Sequence, residues 1–552
     1  MRTNLIEDAR QSIHSLLSAF NPELNGAVET PRNPENGDFS ATHAMSSAKK
    51  LGRKPRDLAD EIAAGLDLSG TRFSSCEVAG PGFLNFRLAD AWYGDVLAAV
   101  AESGEDYGSV DEGGGRRVMV EFVSANPTGP MTIGNARGGV LGDVLATVLQ
   151  RAGYDVRREF YVNDAGNQVE LFGKSIDARY MQLVLGEDAV EFPENGYHGD
   201  DIRELAGEVF AERGDSLAAL SEDARARYFV EYALPRNIAL MEEHLRRYRI
   251  VYDEWFRESG LHDSGYVAET VRLMTDAGLT YEADGALWLD NKSLGAEKDE
   301  VLLRANGFYT YYAVDIAYHR NKFEVRGFDR VINVLGADHH GHTIRFQKTM
   351  TAPCFNLTPE RLTFLIMQMV RLRRDGEVIK VSKRTGKAMS LNDLLDEISV
   401  DACRFFFNAK PDSHLEFDLG LAVRQDSENP VYYVQYAHAR ICSLISALAS
   451  EGCAVPDTAE YGLLSSPPER ELTAKLAALP EEITLAAREL DPSRVNRYVI
   501  DLAAKFHKFY TECRIRGEAD ALRDARLKLA DLTRRVIAIS LSIIGVSAPE
   551  KM

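Results

Sequence analysis

No apolar run in the 552-residue chain approaches the roughly 20 residues needed to cross a bilayer. The longest, over residues 536–546, is broken by Ser540, Ser542 and Gly545, so no membrane association is expected. The amino-terminal stretch carries Glu7 and Asp8 where a secretory leader needs positive charge followed by an apolar segment. The six cysteines, Cys76, Cys354, Cys403, Cys442, Cys453 and Cys513, form no Cys-x-x-Cys pair. That pattern argues against a zinc knuckle or a disulfide framework, and free thiols in a reducing cytoplasm are the expectation. Positive charge is in deficit: 64 Lys and Arg stand against 84 Asp and Glu, a net charge of −20. A general nucleic-acid coat or a membrane-surface protein is therefore disfavoured, although local basic surfaces remain open. No internal repeat or low-complexity tract is present.

What is there is the mix of a folded globular protein, 45% hydrophobic and 27% charged, with length for about three to five domain-sized pieces. Residues 1–112 read as an α+β appendage. Leu5, Ile6, Ala9, Ile13, Leu16 and Leu17 recur at helical spacing, and two short strand patterns flank Gly80-Pro81-Gly82. The stretch 107–115 is rich in glycine and acid and reads as a linker. Over 113–428 the texture becomes α/β. Residues 117–123 and 155–162 are strand candidates, 330–335 and 362–370 are apolar enough for buried parallel strands, and 134–151 is a helix. Strands alternating with helices predict a doubly wound, Rossmann-like sheet. The largely helical, acidic stretch near 168–300 reads as an insertion into it. Residues 429–552 read as an all-α bundle with helices over 432–448, 469–479, 492–510 and 520–544. Residues 433–552 hold 16 basic and 16 acidic side chains, so the charge deficit lies upstream.

Two segments carry chemistry. In VEFVSANPTGPMTIGNARGGVLGD (120–143) a strand ends near Val123, Pro127, Gly129 and Pro130 force a turn, and a helix begins near Gly134. Free N–H groups and the positive dipole end of such a helix suit phosphate, and small residues (Gly134, Ala136, Gly138, Gly139) admit close approach. Taken alone, strand–turn–helix is more often an ordinary connection. About 250 residues on, residues 371–387 hold seven Lys or Arg and two Asp or Glu, a net of +5 in an acidic chain. There Lys380 and Lys383, beside Ser382, can reach developing negative charge on phosphates. A solvated basic loop is the bland alternative.

The pairing of these segments resembles the two signature motifs of class I aminoacyl-tRNA synthetases. EFVSANPTGP (121–130), YVNDAGNQ (161–168), YTYYAVDIAYH (309–319), LGADHHGH (335–342) and SLSIIGVSAPEKM (540–552) resemble the arginyl-tRNA synthetases over essentially the whole chain. The first signature of that family has His at two positions held here by Thr132 and Asn135. Both can donate hydrogen bonds, but neither carries an imidazolium charge. The second, usually Lys-Met-Ser-Lys, is Lys380-Val381-Ser382-Lys383.

The resemblance implies arginine–tRNA ligation in two steps: attack of the L-arginine carboxylate on the ATP α-phosphate, then transfer from arginyl-adenylate to the 3′ end of tRNA(Arg), with Mg²⁺ assisting. It assigns catalysis to Lys380, Lys383, Thr132 and Asn135, and ATP binding to Gly129, Pro130, Ile133, Gly134, Gly336, Asp338 and Ser382. Arginine binding is assigned to Glu121, Ser124, Asn126, Glu258, Tyr311, Asp315 and His339. Helical spacing puts Tyr311 and Asp315 on one face, and a carboxylate meets a guanidinium through two charge-assisted bonds. His339, His340 and His342 lack a partner at ligand spacing, so no resident metal is expected. The appendage is then a tRNA-contacting domain and the carboxyl-terminal bundle an anticodon-binding domain. The basic track of that bundle is expected on Arg494, Arg497, Lys505, Lys508, Arg514 and Arg516, interleaved with Phe506, Phe509 and Tyr510. A cytoplasmic monomer is expected. A non-catalytic tRNA-binding paralogue and a class I enzyme for another amino acid are the alternatives.

Overall fold

A computed structural model of the chain describes residues 4–374, 376–379, 389–409 and 413–552. They form two compact units. One comprises Gly113–Gln150 and Tyr154–Arg424; the other joins Met1–Glu112, Arg151–Gly153 and Gln425–Met552.

The first unit is built on five parallel strands: Arg117–Phe122 (β1), Asp155–Val162 (β2), Glu254–Arg257 (β3), Arg330–Gly336 (β4) and Leu362–Met367 (β5). Their order is β5-β4-β1-β2-β3. Val118, Met119 and Val120 of β1 and Val331 and Ile332 of β4 are fully buried, as strands covered on both faces must be. The chain moves outward from β1 through β2 and β3, then returns to the other side of β1 for β4 and β5. The switch point therefore lies between the carboxyl ends of β1 and β4, which is where open α/β sheets form their ligand crevice. The helix Ile133–Arg151 (α1) packs hard on β1: a Cβ added at Gly142 would lie 2.2 Å from Cγ of Phe122.

The expected helical insertion over 168–300 is shorter than its sequence texture suggests. Helices Asn167–Leu185 (α2), Asp200–Arg213 (α3) and Glu222–Arg247 (α4) share a core of Phe172, Ile176, Tyr180, Val209 and Phe229. The chain then re-enters the main sheet as β3. Short helices follow, and then an antiparallel sheet of Thr280–Ala283, Ala286–Leu289 and Glu300–Leu303. These strands have four residues each, too few to show a period of two. Their one clear signal is the Asp284-Gly285 turn, with φ of 53° and 73° as a type I′ hairpin requires. The strand expected over 362–370 is likewise two pieces. It ends at Met367, and Val370–Arg374 joins Glu377–Ile379 and Leu415–Asp418 in a separate small sheet.

The second unit unites the two ends of the chain. A four-stranded antiparallel sheet (Val28–Glu29, Phe39–Ala41, Phe83–Leu88, Phe73–Ala79) lies with helices Leu5–Phe20, Pro55–Gly65 and Asp90–Ser103. Five carboxyl-terminal helices complete it: Pro430–Ser450, Pro467–Ala477, Leu479–Glu489, Ser493–Glu512 and Asp520–Ile543. Leu479–Glu489 is the one the spacing did not show: the expected helices stop at 479 and resume at 492. The ends are tied by the Tyr107 hydroxyl donating to the Leu476 carbonyl at 2.8 Å, and by Arg10–Glu481 and Arg470–Asp90 ion pairs of 2.5 and 2.6 Å. Such long-range contacts leave no local mark in a sequence.

Candidate active site

The carboxyl end of β1 turns sharply. Val123 and Ser124 both sit at positive φ, 68° and 40°, a conformation a β-branched residue rarely adopts. The strain is held by a hydrogen-bond pair on Ser124: its Oγ donates to Oε1 of Glu121 at 3.1 Å and accepts from the Tyr161 amide at 3.1 Å. The bend thus couples β1 to β2 and aims the buried Glu121 carboxylate toward the crevice.

Three carboxylates lie close enough to Tyr311 to act on its phenol. Glu121 is the penultimate residue of β1; Glu258 follows β3 directly; Asp315 lies on the helix Tyr311–Arg320 (α5), opened by the Thr310 side chain accepting from the Ala313 amide. The Tyr161 hydroxyl donates to Glu258 at 2.6 Å. Asp315 Oδ2 lies 3.1 Å from His342 Nε2, and Oδ1 lies 3.1 Å from His319 Nδ1. Burial alone would raise the Asp315 carboxyl, but His319 and then His342 more than offset it and hold it below the usual carboxylate range. Glu258 shifts the other way: burial raises it, against the Tyr161 and His262 hydrogen bonds. The Tyr311 phenol is pushed up, first by the charge of Asp315 and then by burial of the hydroxyl, with Glu121 and Glu258 adding to it, although the residue as a whole is exposed. Such a negative surrounding suits a delocalised cation held by charge-assisted bonds.

The first phosphate segment is built as a helix start. The Thr132 amide and hydroxyl both lie 2.8 Å from Oδ1 of Asn135, and the Asn135 amide donates to Thr132 Oγ1 at 3.3 Å. This reciprocal cap uses the same polar groups the sequence offers to phosphate. Of the small residues expected to admit a nucleotide, only Gly134 is open. Cβ atoms added at Gly138 and Gly139 would strike Met367 Cε at 3.1 Å and Ile250 Cδ1 at 2.8 Å, so these two serve packing of the helix. Gly129 has nothing within 4 Å of an added Cβ. Asn126 and Pro130 are exposed in the same turn, and Ile133 is half-buried. At the end of β4, Asp338 and His339 are exposed beside each other, 3.7 Å apart, after Gly336.

Lys380, Ser382 and Lys383 lie outside the described residues. The chain that follows them is tied to the first segment: Ser390 bridges antiparallel to Thr132, and the Leu391 amide donates to the Met131 carbonyl at 2.9 Å.

The structure therefore brings together Glu121, Ser124, Glu258, Tyr311 and Asp315, and separately Thr132 with Asn135. It adds Tyr161, His319 and His342. His319 stands four residues from Asp315 on one helix, a spacing that could have been read. His342, rather than His339, is the histidine of its motif that touches Asp315. Among the described residues no group of three His, Cys, Asp or Glu is arranged to hold a metal ion, and no helix is long and apolar enough to cross a membrane.

In the other unit the expected basic track is largely neutralised. Arg494 pairs with Glu482 and Glu489, Arg497 with Asp491, and Lys505 and Lys508 both with Glu471. Phe506 and Phe509 are fully buried core. Tyr510 instead lines a cleft of about 450 Å³ with Arg440, Arg514 and Arg516, the Arg440 guanidinium lying 4.1 Å from its ring centre.

A crevice at the switch of a five-stranded parallel sheet, with a capped helix start on one side, defines a class I tRNA synthetase catalytic domain, and the family model of that description, "tRNA synthetases class I (R), catalytic domain", matches residues 97–421. An arginyl-tRNA synthetase N-terminal domain matches 3–88 and a DALR anticodon-binding domain 434–552. The chain is 51% identical to an arginine–tRNA ligase of Acetivibrio thermocellus, covering all of both chains, and 51% identical to one of Ruminiclostridium cellulolyticum over 95% of this chain and 93% of that one. A solved Thermus thermophilus arginyl-tRNA synthetase shares the fold with a TM-score of 0.75 at 21% identity, covering 99% of this chain and all of the other. The chain belongs to the arginyl-tRNA synthetase family.

Proposed function

We propose that the space walled by Glu121, Glu258 and Asp315 is the arginine pocket of this enzyme. The chain ligates arginine to tRNA with ATP as a substrate. The observation that carries the pocket assignment is the Asp315 carboxylate, buried yet held ionised between His319 and His342 and facing the same space as Tyr311 and Glu258. A guanidinium entering there replaces its water shell with fixed negative groups.

In this reading Asp315, Glu258 and Tyr311 receive the guanidino end, and Ser124, Asn126 and Glu121 the amino end. The arginine carboxylate is then free to attack the α-phosphate of ATP, giving arginyl-adenylate and pyrophosphate. Gly129, Pro130, Ile133 and Gly134 lie along the phosphates at the start of α1, with Thr132 and Asn135. Lys380, Ser382 and Lys383 neutralise charge on the leaving pyrophosphate, and Gly336, Asp338 and His339 lie along the nucleoside. The terminal 2′-hydroxyl of tRNA(Arg) next attacks the adenylate. Little covalent chemistry falls to the protein; positioning and charge stabilisation supply the acceleration. Mg²⁺ belongs here to the triphosphate, since a small cation that keeps most of its water suits phosphate oxygens better than a dedicated protein cage.

Residues 1–112 serve in this reading as a tRNA-contacting domain, 113–428 as the catalytic domain and 429–552 as the anticodon-binding domain, in a cytoplasmic monomer. The test is arginine-dependent ATP–pyrophosphate exchange with and without tRNA(Arg). Exchange with arginine that requires the tRNA is expected. No exchange in either condition would indicate a tRNA-binding paralogue, and exchange with another amino acid a different specificity.

A further inference from the structure

Behind the pocket lies a lysine that no step above uses. Lys322 has no exposed surface and pairs with the carboxylate of Glu121, whose Oε2 lies 2.5 Å from Nζ. Nζ also donates to Oδ1 of Asn333 at 3.3 Å and sits 3.9 Å from the ring centre of Tyr318. Asn333 is fixed in turn, because its Nδ2 lies 3.1 Å from Nε2 of His319. That bond makes Nε2 the acceptor and leaves the Nδ1 proton of His319 for Asp315, whose backbone carbonyl lies at 2.9 Å and Oδ1 at 3.1 Å. A buried cation thus stands behind the carboxylate at one end of the pocket, and Asn333 and His319 link it to Asp315 at the other. The backbone is irregular at the same place. Helix α5 passes into a π-helical turn, Asn321–Val325, which turns Lys322 inward toward the sheet; such turns are uncommon and gather at functional sites.

We propose that Lys322 is a positioning residue for the substrate's α-ammonium group, holding the Glu121 carboxylate in place at the amino end of bound arginine. The inference rests on the pocket assignment above. A buried carboxylate that loses its paired cation turns toward other donors, and a displaced carboxylate recognises an ammonium poorly. Lys322 does not reach the substrate itself. Its contribution falls on binding of the amino group, not on the guanidinium and not on ATP.

The readout is the preference for arginine over the same molecule lacking its α-amino group, 5-guanidinopentanoate. It is measured as the arginine KM in pyrophosphate exchange and as the competitive Ki of the analogue, with tRNA present. In Lys322→Met the arginine KM rises about tenfold to a hundredfold, the range for a lost hydrogen bond to a charged group. The analogue Ki and the ATP KM stay within about threefold, so the preference for the amino group collapses. If Lys322→Met does not fold, Lys322→Gln, which keeps a donor without the charge, carries the same comparison. An unchanged arginine KM, or equal loss for arginine and the analogue, overturns the proposal. Asp315→Asn separates this from the pocket reading: it weakens both compounds alike if the pocket is right, and neither if the pocket itself is wrong.

Discussion

The Tyr161 hydroxyl donates to the Glu258 carboxylate over 2.6 Å, and the bond ties β2 to the residue that follows β3. It fixes one wall of the pocket between two neighbouring strands of the sheet. Tyr161→Phe removes the donor and keeps the ring stacked beside Phe256. The arginine KM should rise about threefold to tenfold with kcat nearly unchanged, the value of an ordinary hydrogen bond, because Glu258 keeps its charge and only its orientation is loosened. Steady-state exchange kinetics check this; a fall in kcat at constant KM would contradict it.

Glu258 and Asp315 predict different pH behaviour. Burial raises Glu258, so it takes up its proton at a pH above the ordinary carboxylate value of about 4.3. The arginine KM should therefore rise as pH falls through that raised value, and Glu258→Gln should flatten the profile. The sign for stability is opposite. The folded state binds this proton more tightly than the unfolded chain, so the contribution to stability grows as pH falls through the same window. Asp315 is held below the usual range, so it stays charged throughout, and its contribution to stability is lost only under strongly acidic conditions.

The cap at the start of α1 has a measurable value. Asn135→Ala leaves the Thr132 amide without its side-chain acceptor, which costs about 1 kcal/mol. A fall in Tm of about 1–2 °C follows for a unit of this size. The ATP KM should rise while the arginine KM holds. Scanning calorimetry and exchange kinetics test the two parts separately.

Gly142 sets how closely α1 approaches β1. A methyl group there meets the Phe122 ring at 2.2 Å, so Gly142→Ala should destabilise the protein by about 1–3 kcal/mol, although alanine is the better helix former. A lower urea midpoint at unchanged m-value is the expected result.

The parallel sheet was legible because β1 and β4 are largely apolar, β2 ends in an apolar run, and helices lie between them. β3 was not, since Glu254–Arg257 is a four-residue edge strand with charge at both ends. Glu121, Ser124, Tyr311 and Asp315 could be named from motif and helical spacing. Lys322, Asn333 and Tyr161 could not. Lys322 meets Glu121 across 201 residues and Tyr161 meets Glu258 across 97, and a lysine after a helix looks like any solvated lysine until its burial is seen. The basic track in the bundle misled for the opposite reason. Its lysines and arginines are visible in sequence, and the acids that neutralise them come from neighbouring helices.

In the proposed pocket Asp315 reads the guanidinium, and the decisive measurement is the arginine KM of Asp315→Asn. A rise of about tenfold to a hundredfold is expected, with the ATP KM within about twofold of the parent enzyme. An unchanged arginine KM in a folded variant would contradict it.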